Sequence, residues 1–240
     1  MNTAVGQAGG KLSSFKQSSF ERWWRMEGEW VEEQNQRRGG ESGVKLLPPL
    51  QPGKPPLYSK RQIGHVFRTL RHPFGLPTAL REEQALIACE QLGVTVPKRI
   101  FCAARKHHGQ WQALLITEEL SGFVCLDEWY TEYVPKLTAN SRNAVLRRLA
   151  LILNRLHSGR RQHGCLYSKH IYINVTSKKP EVALLDLEKS RLRLLRRKAM
   201  GHDLSQLQRH SGAMPEADWH YLLECYHNPY LVDEVNTDAA

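Results

Sequence analysis

The chain has 240 residues, of which 41% are hydrophobic, 8% aromatic and 24% charged. That is enough for one domain, or a tightly joined pair of lobes, with a real core. Lys and Arg number 34 against 24 Asp and Glu, a net charge of +10, which points either to a polyanionic partner (nucleotide, nucleic acid or acidic lipid headgroups) or simply to good solubility.

Cys89, Cys102, Cys125, Cys165 and Cys225 are irregularly spaced and form no CxxC pair. This argues against a disulfide framework or a zinc site and for a reducing compartment. No apolar run approaches the ~18 residues that a spanning helix needs, and no apolar leader opens the sequence. The expectation is a cytoplasmic protein that meets lipid, if at all, peripherally at the inner face of the membrane.

In chain order, residues 1–19 and the acidic tail 231–240 are expected to be flexible. Residues 20–30 (FERWWRMEGEW) put Phe20, Trp23 and Trp24 on one helical face, which predicts a short helix packed on the main body. A strand over 30–34 leads into RRGGESGV and a second strand over 44–47. The glycines between them could bring backbone N–H groups to phosphates. The spacing is not GxGxxG, and a plain hairpin loop explains them equally well.

Prolines and Gly53 mark a turn, and a strand over 57–62 follows with Tyr58 and Lys60 on one side. Pro73, Gly75 and Pro77 are read as a break in the chain. Thr78 is a candidate N-cap, with Arg81 or Glu82 at the positions a capping box uses. A helix over 79–92 ends at Gly93. Two further strands, around 94–104 and 110–120, complete a small mixed lobe to residue 119.

Beyond 120 the pattern turns helical. Residues 144–156 (AVLRRLALILNRL) are strongly amphipathic and read as a buried core helix. A loop over 157–170, strands over 171–175 and 182–187, and a basic, mostly helical stretch over 192–227 follow.

The richest chemistry lies in HGCLYSKHIYIN (163–174) and LLDLEKS (184–190). A loop followed by two short strands, the second ending in an acid, is how a kinase C-lobe builds its phosphate-transfer site. Against H-R-D-x-x-x-x-N, His163 takes the His position, Cys165 the Asp position and His170 the Asn position. Asp186 falls where the metal-binding Asp stands, followed by Leu187 and Glu188 in place of Phe and Gly. A carboxylate there is a hard oxygen ligand suited to Mg²⁺; the plainer alternative is a strand-end acid capping the next turn.

In the N-lobe, Lys60 lies mid-strand. Glu82 shares a helical stripe with Ala85, Leu86 and Cys89, so it needs a partner. Lys60–Glu82 is the natural pair for positioning ATP phosphates. A helix-dipole role for Glu82 is the even alternative on pattern alone, with Arg61, Arg81 and Glu83 nearby. Asp203 is read as opening a helix, either as an N-cap or as an acid that accepts backbone N–H groups from the catalytic loop.

Four stretches together, residues 60–82, 117–123, 161–174 and 184–191, resemble the family of lipopolysaccharide core heptose and Kdo kinases. Residues 23–44 resemble its weak-acid-inducible InaA branch. The resemblance spans about residues 20–226. It implies an α+β, protein-kinase-like two-lobe fold, with a small β-rich N-lobe over 20–119 and a mostly helical C-lobe over 120–230. It implies ATP and Mg²⁺ as cofactors, and transfer of phosphate to a sugar hydroxyl such as that of a lipopolysaccharide core sugar. Transient contact with an acidic membrane surface goes with such an acceptor; nucleic acid is disfavoured as a partner.

By position, the resemblance makes Lys60 and Glu82 the ATP-positioning pair, Asp186 and His170 the metal ligands, and Cys165 with His163 the catalytic-loop residues. Sugar kinases of the family carry Asp at the Cys165 position, whereas InaA-like proteins, which are associated with stress response, carry Cys. A free thiol with pKa ~8.5 is mostly protonated at neutral pH. General-base help is worth roughly 10²–10⁴-fold, so its loss slows transfer without abolishing it. Two functions stay open: a kinase with unusual base chemistry, and a nucleotide-binding pseudokinase that senses stress.

Overall fold

The computed structural model describes residues 18–37, 40–69 and 72–228. The flexible ends expected over 1–19 and 231–240 lie outside these residues, except that 18 and 19 open a helix. Arg38 and Gly39 of the glycine-bearing loop also lie outside them. The chain divides into two compact units. Among the described residues, one takes those up to 83 and 98–119; the other takes 84–97 and 120–228.

The first unit is built on a five-stranded antiparallel sheet in the order β1-β2-β3-β7-β6. Its strands are β1 (Glu29–Arg37), β2 (Gly40–Leu47), β3 (Leu57–Ile63), β6 (Arg99–His107) and β7 (Gln110–Glu118). Residues 113–116 of β7 are all buried, the mark of a central strand covered on both faces. Helix α1, residues 18–25, lays Phe20, Trp23 and Trp24 on a core of Leu47, Leu57, Leu114 and Ile116, as its periodicity predicts. Arg61, one residue along β3 from Lys60, turns to the other side. There its Nη2 donates to the carbonyls of Trp23 at 3.3 Å and Met26 at 2.6 Å, groups that the end of a helix leaves without partners.

The expected break at Pro73–Pro77 is instead a two-stranded ribbon, β4 (Val66–Thr69) against β5 (His72–Pro77). A ribbon edge tolerates proline because no neighbouring strand needs its missing N–H, and Gly75 takes the positive φ of 86°. Helix α2 (Thr78–Gln91) follows, and Gly93 after it has φ 67°. The start of α2 is held by β3: Gln62 Oε1 accepts from Ala79 N and from Thr78 Oγ1, both at 2.9 Å. Thr78 is thus tied to Gln62 and to His65 Nδ1, 2.7 Å away.

The second unit is mostly helical. Strand β8 (Phe123–Cys125) runs into a short helical stretch, α3 (Leu126–Glu128), and two further turns. Helix α4 (Ala139–Ser158) buries Leu146, Leu149, Leu153 and Leu156 along one stripe. Its N-cap, Thr138, accepts from Ser141 N at 3.2 Å. After β9 (Arg161–Gln162) come β10 (Ile171–Asn174) and β11 (Val182–Leu184), which join β8 in a three-stranded antiparallel sheet.

The strand expected over 182–187 stops at Leu184, because Asp186 takes a left-handed backbone, φ 57°. A 3-10 turn (Leu187–Lys189) and β12 (Arg191–Leu192), which pairs with β9, lead to α5 (Arg196–Arg209) and α6 (Glu216–His227). Asp203 does not open a helix. It sits within α5 and is fully buried. Among the described residues no helix is long and apolar enough to cross a membrane.

Candidate functional site

In the first unit, Lys60 sits mid-sheet, registered against Val44 of β2 and Leu115 of β7. Its Nζ donates to Glu82 Oε2 at 2.7 Å, and both side chains are largely buried. Period two in β3 and the first turn of α2 bring these residues together. Of the nearby alternatives, Arg61 is used by α1 and Glu83 pairs with Arg99 at 2.8 Å. Gly40, at the end of the glycine-bearing hairpin, packs on backbone: a Cβ there would meet the Gly64 carbonyl carbon and His65 N at 2.6 Å. That packing accounts for the glycine without a ligand.

In the second unit, the loop from His163 to His170 is fixed from beneath. The His163 ring is fully buried. Its Nε2 donates to the Leu185 carbonyl at 2.9 Å, and its Nδ1 accepts from Cys165 N at 3.3 Å. One nitrogen donates and the other accepts, so the ring is neutral; burial pushes its pKa down to about 4. His163 therefore holds the loop against the residue preceding Asp186, which makes it a positioning residue rather than a proton carrier.

The loop is also anchored by Asp203, whose carboxylate accepts from His163 N at 2.6 Å and Gly164 N at 3.0 Å. His157 Nε2 stands 3.2 Å from the same carboxylate, and Tyr226 supports the other nitrogen of His157 at 2.9 Å. Burial alone would raise the Asp203 carboxyl. The hydrogen bonds from His157, Gly164 and His163 outweigh it and hold the group below its ordinary value. Gly164 has φ 91°, and a Cβ on it would meet the Lys189 carbonyl oxygen at 2.6 Å, so the loop packs directly on the turn that follows Asp186.

His170 and Asp186 face each other. His170 Nδ1 donates to the Cys165 carbonyl at 2.7 Å, which leaves Nε2 toward Asp186 Oδ2 at 3.4 Å. That separation suits two neighbouring ligands on one metal. A histidine whose second nitrogen is tied to a backbone carbonyl is the usual arrangement of a metal-bound imidazole. Among the described residues no group of three or more His, Cys, Asp or Glu could hold a metal. Water and phosphate oxygens would have to complete the shell, which is how Mg²⁺ is commonly bound. The left-handed backbone of Asp186, uncommon outside glycine, is strain of the kind found at functional sites.

Cys165 is 3% exposed. Its neighbour is Lys189, whose ammonium is held above the ordinary lysine value by its contact with the Cys165 side chain. Lys189 was not among the residues singled out from the sequence. The only signal available was a cation closely following the LLD acid.

The sequence model of the lipopolysaccharide kinase (Kdo/WaaP) family matches residues 21–226. The chain is 44% identical over 215 residues to Protein InaA of Escherichia coli (strain K12), covering 89% of this chain and 98% of that protein. A solved structure of WaaP in complex with acyl carrier protein superposes with a TM-score of 0.63 at 16% identity, over 91% of this chain and 87% of WaaP. That likeness establishes a protein-kinase-like fold.

Proposed function

This chain belongs to the lipopolysaccharide kinase (Kdo/WaaP) family, and from that membership we propose that it binds Mg·ATP and transfers the γ-phosphoryl group to a sugar hydroxyl, such as that of a lipopolysaccharide core sugar. The observation that carries the proposal is the pairing of His170 with the left-handed Asp186 on a loop that His163 and Asp203 hold rigid. In this reading the protein works in the cytoplasm, at the inner face of the membrane, where such an acceptor is exposed.

Each residue then has a task. Lys60, oriented by Glu82, binds phosphate oxygens as an ammonium point charge. Asp186 and His170 would hold Mg²⁺, which when bound would supply neutralisation of phosphate charge, the larger part of catalysis in phosphoryl transfer. Cys165 stands where a base would receive the acceptor proton, and Lys189 beside it favours negative charge on whatever group occupies that position.

A second reading is favoured by Cys165 itself. A thiol in place of the catalytic Asp suits an InaA-type pseudokinase that binds nucleotide and regulates a stress response without turnover. One experiment separates the two: incubate the protein with Mg²⁺, γ-labelled ATP and deacylated lipopolysaccharide core oligosaccharides. Label on sugar supports the kinase. Nucleotide binding with no transfer to any acceptor supports the regulator. Absence of nucleotide binding removes both.

A further inference from the structure

Residues 191–198 read RLRLLRRK, and the proposed chemistry uses none of them. Leu194 is 89% exposed, Leu192 61% and Leu195 46%. Single exposed leucines need no explanation, but three within four residues give this short run an apolar character that none of the described residues covers. The segment is not loose. Arg191 and Leu192 pair with Gln162 and Arg161 of β9, Arg193 N donates to the Arg160 carbonyl at 2.8 Å, and the Arg193 guanidinium turns inward to Gln162 Oε1. With Arg193 fixed inward, its neighbours Leu192 and Leu194 are held in solvent.

Arg191, Arg196, Arg197 and Lys198 are exposed around the leucines, and no acid occurs from Arg191 to His202. The surface therefore asks for anions and for apolar contact at once. The boundary between headgroups and acyl chains of an anionic bilayer offers both. Nucleic acid would satisfy the cations only, because stacking on bases needs aromatic rings and the segment has none.

We propose that residues 191–198 dock this protein on an anionic membrane surface. Leu192, Leu194 and Leu195 enter the acyl boundary, and Arg191, Arg197 and Lys198 meet the lipid phosphates, while Arg196 reaches the Tyr226 hydroxyl. The proposal rests on the functional reading only in placing the protein at a membrane, and its test contains neither ATP nor sugar, so one can fail without the other.

The test is co-sedimentation of the full chain with vesicles of equal parts phosphatidylglycerol and phosphatidylcholine, beside vesicles of phosphatidylcholine alone. Binding is expected to the anionic vesicles only, weakening as salt rises. Each cation near such a surface is worth on the order of five-fold in affinity. Arg191→Gln/Arg197→Gln/Lys198→Gln should therefore lose roughly a hundred-fold and show a flatter salt dependence. Leu192→Ser/Leu194→Ser should lose about ten-fold or more at low and high salt alike. Neither variant should shift the melting temperature, because these side chains face solvent. Wild-type protein that pellets with neither vesicle, or a leucine variant that binds as wild type does, overturns the proposal. Tighter binding to duplex DNA than to the anionic vesicles at equal salt overturns it too, and reassigns the segment to nucleic acid.

Discussion

His170 Nε2 lies 3.4 Å from Asp186 Oδ2, while the other nitrogen of the same ring lies 2.7 Å from the Cys165 carbonyl. A single imidazole thus ties the base position of the loop to the acid beyond β11. The backbone of Asp186 is left-handed, a conformation that Asn tolerates nearly as well as Asp, so Asp186→Asn removes charge without adding strain. This variant should keep the wild-type melting temperature and lose Mg·ATP affinity. Asp203→Asn should do the reverse. It weakens a buried anchor that holds two loop N–H groups, at a cost of roughly 3 kcal/mol, with a smaller effect on nucleotide binding per folded molecule. Calorimetry and thermal melts on both variants separate the two roles.

The buried His163 gives a pH prediction. Its pKa in the folded protein is about 4 against an ordinary 6.5, so between those values the unfolded chain binds the extra proton. Stability from this group is complete above pH 6.5 and is lost as pH falls toward 4, a change on the order of 3 kcal/mol. His163→Gln should be less stable at neutral pH and show a flatter profile in that window, measured by urea denaturation at a series of pH values. The Asp203 carboxyl, held below its ordinary value, adds a loss only at more acidic pH. An unchanged profile in His163→Gln would remove the neutral-ring assignment.

Lys60→Met removes the ammonium that meets Glu82 at 2.7 Å. It should weaken nucleotide binding about ten-fold or more. Glu82→Gln, which leaves Lys60 in place but less well oriented, should weaken it less. Fluorescent-nucleotide titration checks the order; the reverse order would contradict the assignment of phosphate contact to Lys60.

Cys165→Asp puts a carboxylate beside Lys189, where a charge in a buried position has its counter-ion ready. Phosphoryl transfer should rise roughly ten- to a hundred-fold, while Cys165→Ala should lower it by less than about ten-fold. The thiol, 3% exposed, should also alkylate more slowly than Cys125, which is only partly buried. Fast labelling of Cys165, with no gain from Cys165→Asp against any acceptor, would favour a thiol sensor over a kinase.

Much of the scaffold was legible in the sequence because it rests on local periodicity. The α4 stripe and the α1 aromatics follow from spacing along single elements; the pairing of Lys60 with Glu82 joins two elements, was even with a helix-dipole role on pattern alone, and was favoured by the kinase-like motif in the C-lobe. What was missed depends on tertiary proximity or on misleading punctuation. Pro73, Gly75 and Pro77 read as a break because the rule against proline in strands holds for central strands, whereas β5 lies in a two-stranded ribbon. The basic run before Asp203 made it look like a helix start, yet α5 begins within that run, at Arg196, and continues through Asp203. The capping of α2 by Gln62 and the contact of Lys189 with Cys165 join distant stretches, and no pattern in one sequence reports them.

The central claim is that the residues placed by the loop and β11 bind nucleotide through a metal. Titration of the full chain with ATP by calorimetry, with Mg²⁺ and then with EDTA, tests it most directly. The expected result is saturable binding with Mg²⁺ that weakens at least ten-fold in EDTA and is insensitive to Mg²⁺ in Asp186→Asn. Absence of binding at millimolar Mg·ATP, or equal affinity in wild type and Asp186→Asn, would contradict it.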